Sequence, residues 1–302
     1  MRTRFAPSPT GPLHLGHAYS AILAHDMALQ TGGEFLLRIE DIDQSRARPE
    51  WEEMIYDDLR WLGLHWETPV MRQSDRTAAY GRALDSLWAR SLLYPCTCNR
   101  RDILAAASAP NEGDPETGPD GVIYPGTCRQ APGLPHDFAA RPLNMNLRMN
   151  ASSLSMDRNA YDHRIDTPDG GWHFCAGFDE TGDGCGHLTG RIEFTPEEFE
   201  TTVGDVVLSR RDMGTSYHLS VVVDDAEQGI THVTRGEDLF DATKIHVILQ
   251  RVFGFATPTY HHHRLIRDEA GKRLAKRDDA RSIRAYREDG ATPADIRRLV
   301  GL

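Results

Sequence analysis

The sequence predicts an α/β fold built on a parallel sheet and split by an insertion of different character. Three observations predict it. Strand-like and helix-like segments alternate through the first third, the order that gives βα units with ligands at the strand C-terminal ends. From Tyr94 to about Gly190 this periodicity lapses, and the stretch holds all five cysteines and a Gly/Pro-rich run from Pro110 to Gly126. Beyond Val203 regular segments resume.

The elements follow in chain order. Arg2 to Ala6 is a short strand, and Pro7-Ser8-Pro9-Thr10-Gly11-Pro12 is a stiff loop of turn residues. From about His17 to Gln30 the apolar residues Ala18, Ala21, Ile22 and Leu29 recur near helical spacing, and Thr31-Gly32-Gly33 stops the helix. Glu34 to Glu40 predicts a second strand, and Pro49 to Leu62 and Thr77 to Arg90 predict helices. Val203 to Ser209 and Leu219 to Val223 read as strands, Asp241 to Phe253 as a helix and Ala294 to Leu302 as the start of another.

Composition excludes several classes. At 302 residues, 39% hydrophobic and 26% charged, the chain is an ordinary globular protein rather than a disordered or fibrous one. It has no apolar run of the roughly 18–20 residues that spans a bilayer, and its start lacks the apolar core of a signal peptide. Five cysteines are too few and too odd in number for a disulfide scaffold, which predicts a reducing cytoplasmic setting and no membrane partner. The net charge of −11 argues against indiscriminate nucleic-acid coating. Even so, Arg264 to Leu302 carries 11 basic and 7 acidic residues, a basic strip that suits a polyanion.

The most informative stretch is Phe5-Ala6-Pro7-Ser8-Pro9-Thr10-Gly11-Pro12-Leu13-His14-Leu15-Gly16-His17. A strand, a proline-stiffened loop and a helix start follow one another there. The unpaired N–H groups and dipole of a helix N-terminus make a phosphate site. Gly16 admits a nucleotide close to the backbone, and the imidazoles of His14 and His17 can donate to phosphate oxygens. Outside that context a His-x-x-His pair is more often an ordinary surface or core feature.

This stretch resembles the signature of class I aminoacyl-tRNA synthetases, with His14-Leu15-Gly16-His17 as the HIGH tetrapeptide. Arg4-Phe5-Ala6-Pro7-Ser8-Pro9-Thr10-Gly11 resembles the glutamyl/glutaminyl branch. Arg38-Ile39-Glu40-Asp41-Ile42-Asp43, Tyr217-His218-Leu219-Ser220-Val221-Val222-Val223-Asp224-Asp225 and Thr234-Arg235-Gly236-Glu237-Asp238 resemble later segments of that branch, in the right order. Arg273-Leu274-Ala275-Lys276-Arg277 corresponds to the KMSKS loop, with Arg273 for its first lysine and Ala275 for its serine.

The resemblance implies a Rossmann-like class I synthetase catalytic domain with a small zinc-bearing insertion and a short helical C-terminal segment. The implied division is 1–90 and 209–270 for the two catalytic halves, 91–208 for the insertion and 271–302 for the KMSKS-like loop and C-terminal helices. It implies His14, His17 and Lys276 as catalytic donors to ATP, whose phosphates Mg²⁺ would bridge, with Gly16 and Leu274 also at the nucleotide. Around the amino acid it places Arg4, Ser8, Glu40, Tyr217 and Arg235. That set suits glutamate: arginines for its carboxylates and one acid for its ammonium. Glutamine would leave a guanidinium without its anion. Val221 stands where the family has an asparagine, which implies an altered pocket.

Cys96-x-Cys98 with Tyr124-x-x-x-Cys128 supplies three thiolates and a phenol, a donor set for tetrahedral Zn²⁺. Tyr124 is the fourth ligand by resemblance to short paralogues of the branch, and His136 competes for that place. A second constellation, His173-x-Cys175 and Cys185-x-His187 around a turn, would place four ligands on one face of a hairpin and form a second zinc site. The alternative is two buried thiols and two surface histidines. His261-His262-His263 is expected to position neighbouring groups rather than bind metal.

The chain ends about 25 residues past Lys276, so no anticodon-binding domain is expected. With the cysteine pattern and Val221, this resembles the glutamyl-queuosine tRNA(Asp) synthetase family. Membership implies ATP-dependent, tRNA-independent activation of L-glutamate and its transfer to the cyclopentenediol of queuosine in the anticodon of tRNA(Asp), by a monomer. The alternatives are a minimal enzyme charging the 3′ end of tRNA(Glu), a nucleotidyltransferase of the same superfamily, and a non-catalytic glutamate- or RNA-binding paralogue.

Overall fold

The computed structural model describes residues 1–108, 115–129, 140–161, 163–166, 171–186, 188–267 and 281–302. Strand Arg2–Phe5 pairs in parallel with Glu34–Ile39, which pairs in parallel with the two-residue strand Met71–Arg72. In the second half His232–Gly236 pairs in parallel with Thr259–His263, which meets Trp172–Glu180 in parallel at Tyr260 and Glu180. The halves join where Arg2–Phe5 lies beside His232–Gly236, and the Thr231 amide donates to the Arg2 carbonyl at 3.0 Å. Two separate sheets are thus brought together here across more than 200 residues of chain.

Helix Leu15–Gln30 packs Ala18, Ala21, Ile22, Ala24 and Ala28 against this sheet. Its small residues let the helix lie close to the strands. At its end, a Cβ on Gly33 would run into the carbonyl of Met1, so the close approach of the first strand requires glycine there. The C-terminal helices Ile283–Glu288 and Pro293–Val300 complete the same apolar cluster with Ile283, Ile296 and Val300. Helices Pro49–Trp61, Thr77–Ala89 and Thr243–Phe253 lie close to where periodicity places them.

One element differs in kind. Leu219 to Val223, expected as a strand, belongs to helix Tyr217–Glu227. Valines disfavour helix by only a few tenths of a kcal/mol each. Two tertiary demands outweigh that: Ser216 caps the helix by accepting from the Leu219 amide, and Asp224 and Asp225 must share its buried face to reach arginines of the first half. The preceding strand is shorter than expected, Val206–Ser209, because Pro196–Thr202 forms a helix capped by Thr195.

Between the halves, Leu93–Cys96, Asn146–Met149 and Val206–Ser209 form a separate antiparallel sheet. Trp172–Glu180 also pairs antiparallel with His163–Asp166 and Gly190–Phe194, so the insertion extends the central sheet at one edge.

Candidate active site

His14 and His17 build the end of helix Leu15–Gln30 reciprocally. The His14 Nδ1 accepts from the Gly16 amide at 3.1 Å, and the His17 Nδ1 accepts from the His14 amide at 3.2 Å. Because an accepting nitrogen carries no proton, each neutral ring is held as the Nε2–H tautomer. The rings lie 3.8 Å apart between centroids, so two Nε2–H donors flank the helix N-terminus. A Cβ on Gly16 would meet the His14 ring at 3.0–3.1 Å, so glycine here also makes room for the capping ring.

These residues line a cleft of about 380 Å³ together with Arg4, Glu40, Tyr217 and Arg235. An adjoining cleft of about 780 Å³ contains Ser8 and shares His17, Glu40 and Tyr217 with the first. Each residue sits at the C-terminal end of a strand or the start of a helix, where a parallel sheet presents ligands. Arg4 nears the end of Arg2–Phe5, Glu40 follows Glu34–Ile39, Tyr217 opens its helix, and Arg235 nears the end of His232–Gly236. Lys276 and Leu274, like Arg273, Ala275 and His136, lie outside the described residues.

The two arginines differ. Arg4 grips Asp225 side-on, Nε to Oδ1 at 3.0 Å and a terminal nitrogen to Oδ2 at 3.2 Å. Fully buried Arg38 donates to the same Asp225 Oδ1 at 2.7 Å and to Glu40 Oε1 at 3.2 Å. Burial pushes the Asp225 carboxyl up, but Arg4 and Arg38 reverse this and hold it below the usual range. For Glu40 burial wins against Arg38 and Arg4, and its carboxyl lies above the usual range.

Arg235, by contrast, meets only neutral hydrogen-bond partners among the described residues. It donates to His262 Nε2 at 3.0 Å, His246 Nδ1 at 2.9 Å and Thr243 Oγ1 at 2.6 Å. Burial, aided by the Arg235 charge, holds His246 well below its ordinary pKa and brings His262 down to about 4, so both rings are neutral at pH 7. The guanidinium therefore faces the cleft with its position fixed and no carboxylate bonded to it. Sequence reading missed Asp225, Arg38, His246 and His262 as site residues. Arg38, Asp224 and Asp225 sat inside recognised motifs, whereas His246 and His262 gave no local signal beyond the His261-His262-His263 run. In that run, His262 positions Arg235 and His263 Nε2 lies 2.7 Å from Ser20 Oγ, in line with the expected positioning role.

Val221 corrects an expectation. It is 2% exposed within the apolar cluster and lines neither cleft, so its side chain alters packing rather than a polar contact in the pocket.

In the insertion the sulfurs of Cys96, Cys98 and Cys128 lie within 4.8 Å of one another. The Tyr124 hydroxyl is 3.5 Å from Cys96 Sγ and 3.3 Å from Cys98 Sγ. Three soft donors and a phenol oxygen thus converge on one point, a spacing that fits a single tetrahedral metal ion. The Cys128 amide donates to the Tyr124 oxygen at 2.9 Å, and the Arg148 guanidinium lies over the Tyr124 ring and 3.3 Å from Cys96 Sγ. Such positive neighbours suit thiolate and phenolate ligands.

Among the described residues the second ligand set is not assembled. The hairpin pairs Glu180 with Gly190 and Ala176 with Phe194, so Cys185 lies in the loop beyond its closing pair while His173 and Cys175 lie further along the strand. At about 3.3 Å per residue, Cys175 is roughly 16 Å from that closing pair. Gly184 hydrogen-bonds the His262 carbonyl, which draws the loop toward Thr259–His263 instead. His187 lies outside the described residues.

The family described as tRNA synthetases class I (E and Q), catalytic domain, matches residues 1–116 and 182–302. The Glutamyl-Q tRNA(Asp) synthetase of Rhodobacter capsulatus is 58% identical over 305 residues, covering 100% of both chains. The chain belongs to the glutamyl-Q tRNA(Asp) synthetase family. A second member, from Geobacter sulfurreducens, is 38% identical over 94% of this chain and 78% of its own. Among solved structures, a glutamate tRNA ligase from Elizabethkingia meningosepticum in complex with its amino acid matches with a TM-score of 0.71 and 26% identity. This chain spans 60% of that protein's length. The methionyl-tRNA synthetase of Mycobacterium tuberculosis, at 10% identity and a TM-score of 0.55, shares the fold. The catalytic fold is thus that of a class I synthetase. The part outside the family match, 117–181, carries Tyr124, Cys128 and the strand Trp172–Glu180.

Proposed function

We propose that this ligase activates L-glutamate with ATP in the absence of tRNA and transfers it to the queuosine cyclopentenediol in the anticodon of tRNA(Asp). One observation carries the activation step. A single cleft joins the Nε2–H donors at the helix N-terminus to an arginine with only neutral partners and to an acid, Glu40. The 58% identity to a full-length relative of that name supports the tRNA.

In the first step a glutamate carboxylate oxygen attacks the α-phosphorus of ATP and pyrophosphate leaves. His14 and His17 donate to phosphate oxygens as negative charge grows on them, and the helix N-terminus adds its partial positive charge. Lys276 serves the same charge by its correspondence with the KMSKS loop. Mg²⁺ arriving with ATP would neutralise phosphate charge. Arg235 binds a substrate carboxylate, Glu40 takes the ammonium, and Tyr217 and Ser8 line the approach. Arg4, tied to Asp225, chiefly holds the pocket wall, and Arg38 positions Glu40. In the second step a queuosine hydroxyl attacks the activated carbonyl, an ester bond forms, and AMP leaves with the electron pair.

Cys96, Cys98, Tyr124 and Cys128 are the residues that would hold one Zn²⁺ in a structural role, stapling a segment whose own apolar cluster is small. A cytoplasmic setting is part of this proposal because the acceptor is a tRNA. Separately, no helix among the described residues is long and apolar enough to cross a membrane.

The test is transfer of labelled glutamate to tRNA(Asp), with and without queuosine, after removal of the 3′ adenosine. Labelling that requires queuosine and survives trimming is expected. Labelling confined to intact tRNA(Glu) would overturn the proposal in favour of a minimal 3′-charging enzyme.

A further inference from the structure

Glu180 lies on Trp172–Glu180, outside the recognised motifs, yet it is 2% exposed and aimed at the back of the pocket. Its Oε1 accepts from the amides of Gly182, at 2.6 Å, and His262, at 2.9 Å. Its Oε2 meets His262 Nδ1. On the other side of the ring, His262 Nε2 must accept, because its partner Arg235 Nε can only donate, at 3.0 Å. The proton of the neutral ring is therefore on Nδ1, pointing at Glu180.

The other imidazole obeys the same logic. His246 Nδ1 accepts from Arg235, which puts its proton on Nε2, 3.1 Å from His218 Nδ1. The His218 proton then faces Asp120, whose Oδ1 is 3.7 Å from His218 Nε2. Each ring is thus oriented by a group behind it, and the two carboxylates at the ends keep one imidazole's distance or more from the guanidinium.

From this arrangement we infer that Glu180 is a positioning residue for substrate carboxylate binding: it fixes the His262 tautomer, and that tautomer holds Arg235 aimed into the cleft with its charge unmatched. A carboxylate bonded directly to Arg235 would compete with the substrate. Interposing a neutral ring orients the guanidinium without spending its charge. The inference rests on the glutamate-pocket reading above.

The Glu180→Gln variant tests it with almost no change of shape. The Gln oxygen stays with the two backbone amides, so its NH₂ group faces His262 Nδ1. That nitrogen must then accept, the ring proton moves to Nε2, and Nε2–H meets Arg235 Nε–H, donor against donor. The expected result in glutamate-dependent ATP–pyrophosphate exchange is a KM for glutamate raised by about 10–100-fold, the range of one hydrogen bond to a charged group. The KM for ATP and kcat should stay within about threefold, since neither Glu180 nor the Arg235 it positions is proposed to contact the phosphates.

His262→Gln offers Arg235 an amide oxygen whatever faces it from behind, so Glu180→Gln/His262→Gln should recover most of the lost affinity. A purely structural role for Glu180 would predict a double variant no better than the single one, and that result would overturn the inference. So would a Glu180→Gln variant with unchanged KM for glutamate. Exchange by the unsubstituted protein that is indifferent to glutamate would instead overturn the pocket reading itself.

Discussion

Arg4 and Asp225 face each other side-on at 3.0 and 3.2 Å, although 221 residues separate them in the chain. The pair stitches the first strand to helix Tyr217–Glu227, and Arg38 joins it from the neighbouring strand. The first strands and helix Tyr217–Glu227 are therefore held together by charges beneath the cleft, and Arg4 and Arg235 have different partners despite identical chemistry.

Removing Asp225 leaves two buried guanidinium groups short of a partner. Asp225→Ala is expected to cost about 3–5 kcal/mol of stability, the range for breaking a buried ion pair. Urea midpoints at neutral pH check this.

The same carboxyl gives a pH dependence. Its folded pKa is lowered, so the unfolded chain takes up the proton first as pH falls. Its stabilisation is full above the ordinary value of 3.8 and is lost as pH drops through the depressed folded value. The unsubstituted protein should lose stability steeply in that acid window, and Asp225→Ala less steeply, in urea titrations taken at successive pH values.

His17→Ala removes a cap and, under the proposed mechanism, a phosphate donor. Exchange kcat should fall about 10²–10³-fold, as for the loss of one donor to a developing anion. The cap itself is worth only about 1 kcal/mol. A melting temperature that collapses along with activity would point to a structural defect instead.

Metal content should be close to one Zn²⁺ per chain by elemental analysis, because only one donor cluster is assembled among the described residues. Cys98→Ser is expected to lose that ion and lower thermal stability, while Cys185→Ser keeps it. Two ions per chain would revive the second site.

Val221→Asn would bury an amide within the apolar cluster. A destabilisation of about 1–3 kcal/mol is expected, with the KM for glutamate unchanged. A KM shift without loss of stability would return residue 221 to the pocket.

The sequence by itself determined the local features: the helix N-terminus at His14 and His17, the parallel βα order and the clustered Cys96, Cys98 and Cys128 donors. Each is legible because the signal is short-range, as in turn residues, helical periodicity and close ligand spacing, whereas Tyr124 and the polar residues of the cleft were legible only through the family resemblance. Tertiary structure alone decided the conformation of Leu219 to Val223, where two aspartates had to reach buried arginines against the propensity of three valines. It also decided the hairpin register, which keeps Cys175 and Cys185 apart. The division of labour between Arg4 and Arg235 likewise came only from the fold, since a guanidinium's usefulness depends on what lies behind it, and Asp225, Glu180, His246 and His262 arrive there from distant parts of the chain.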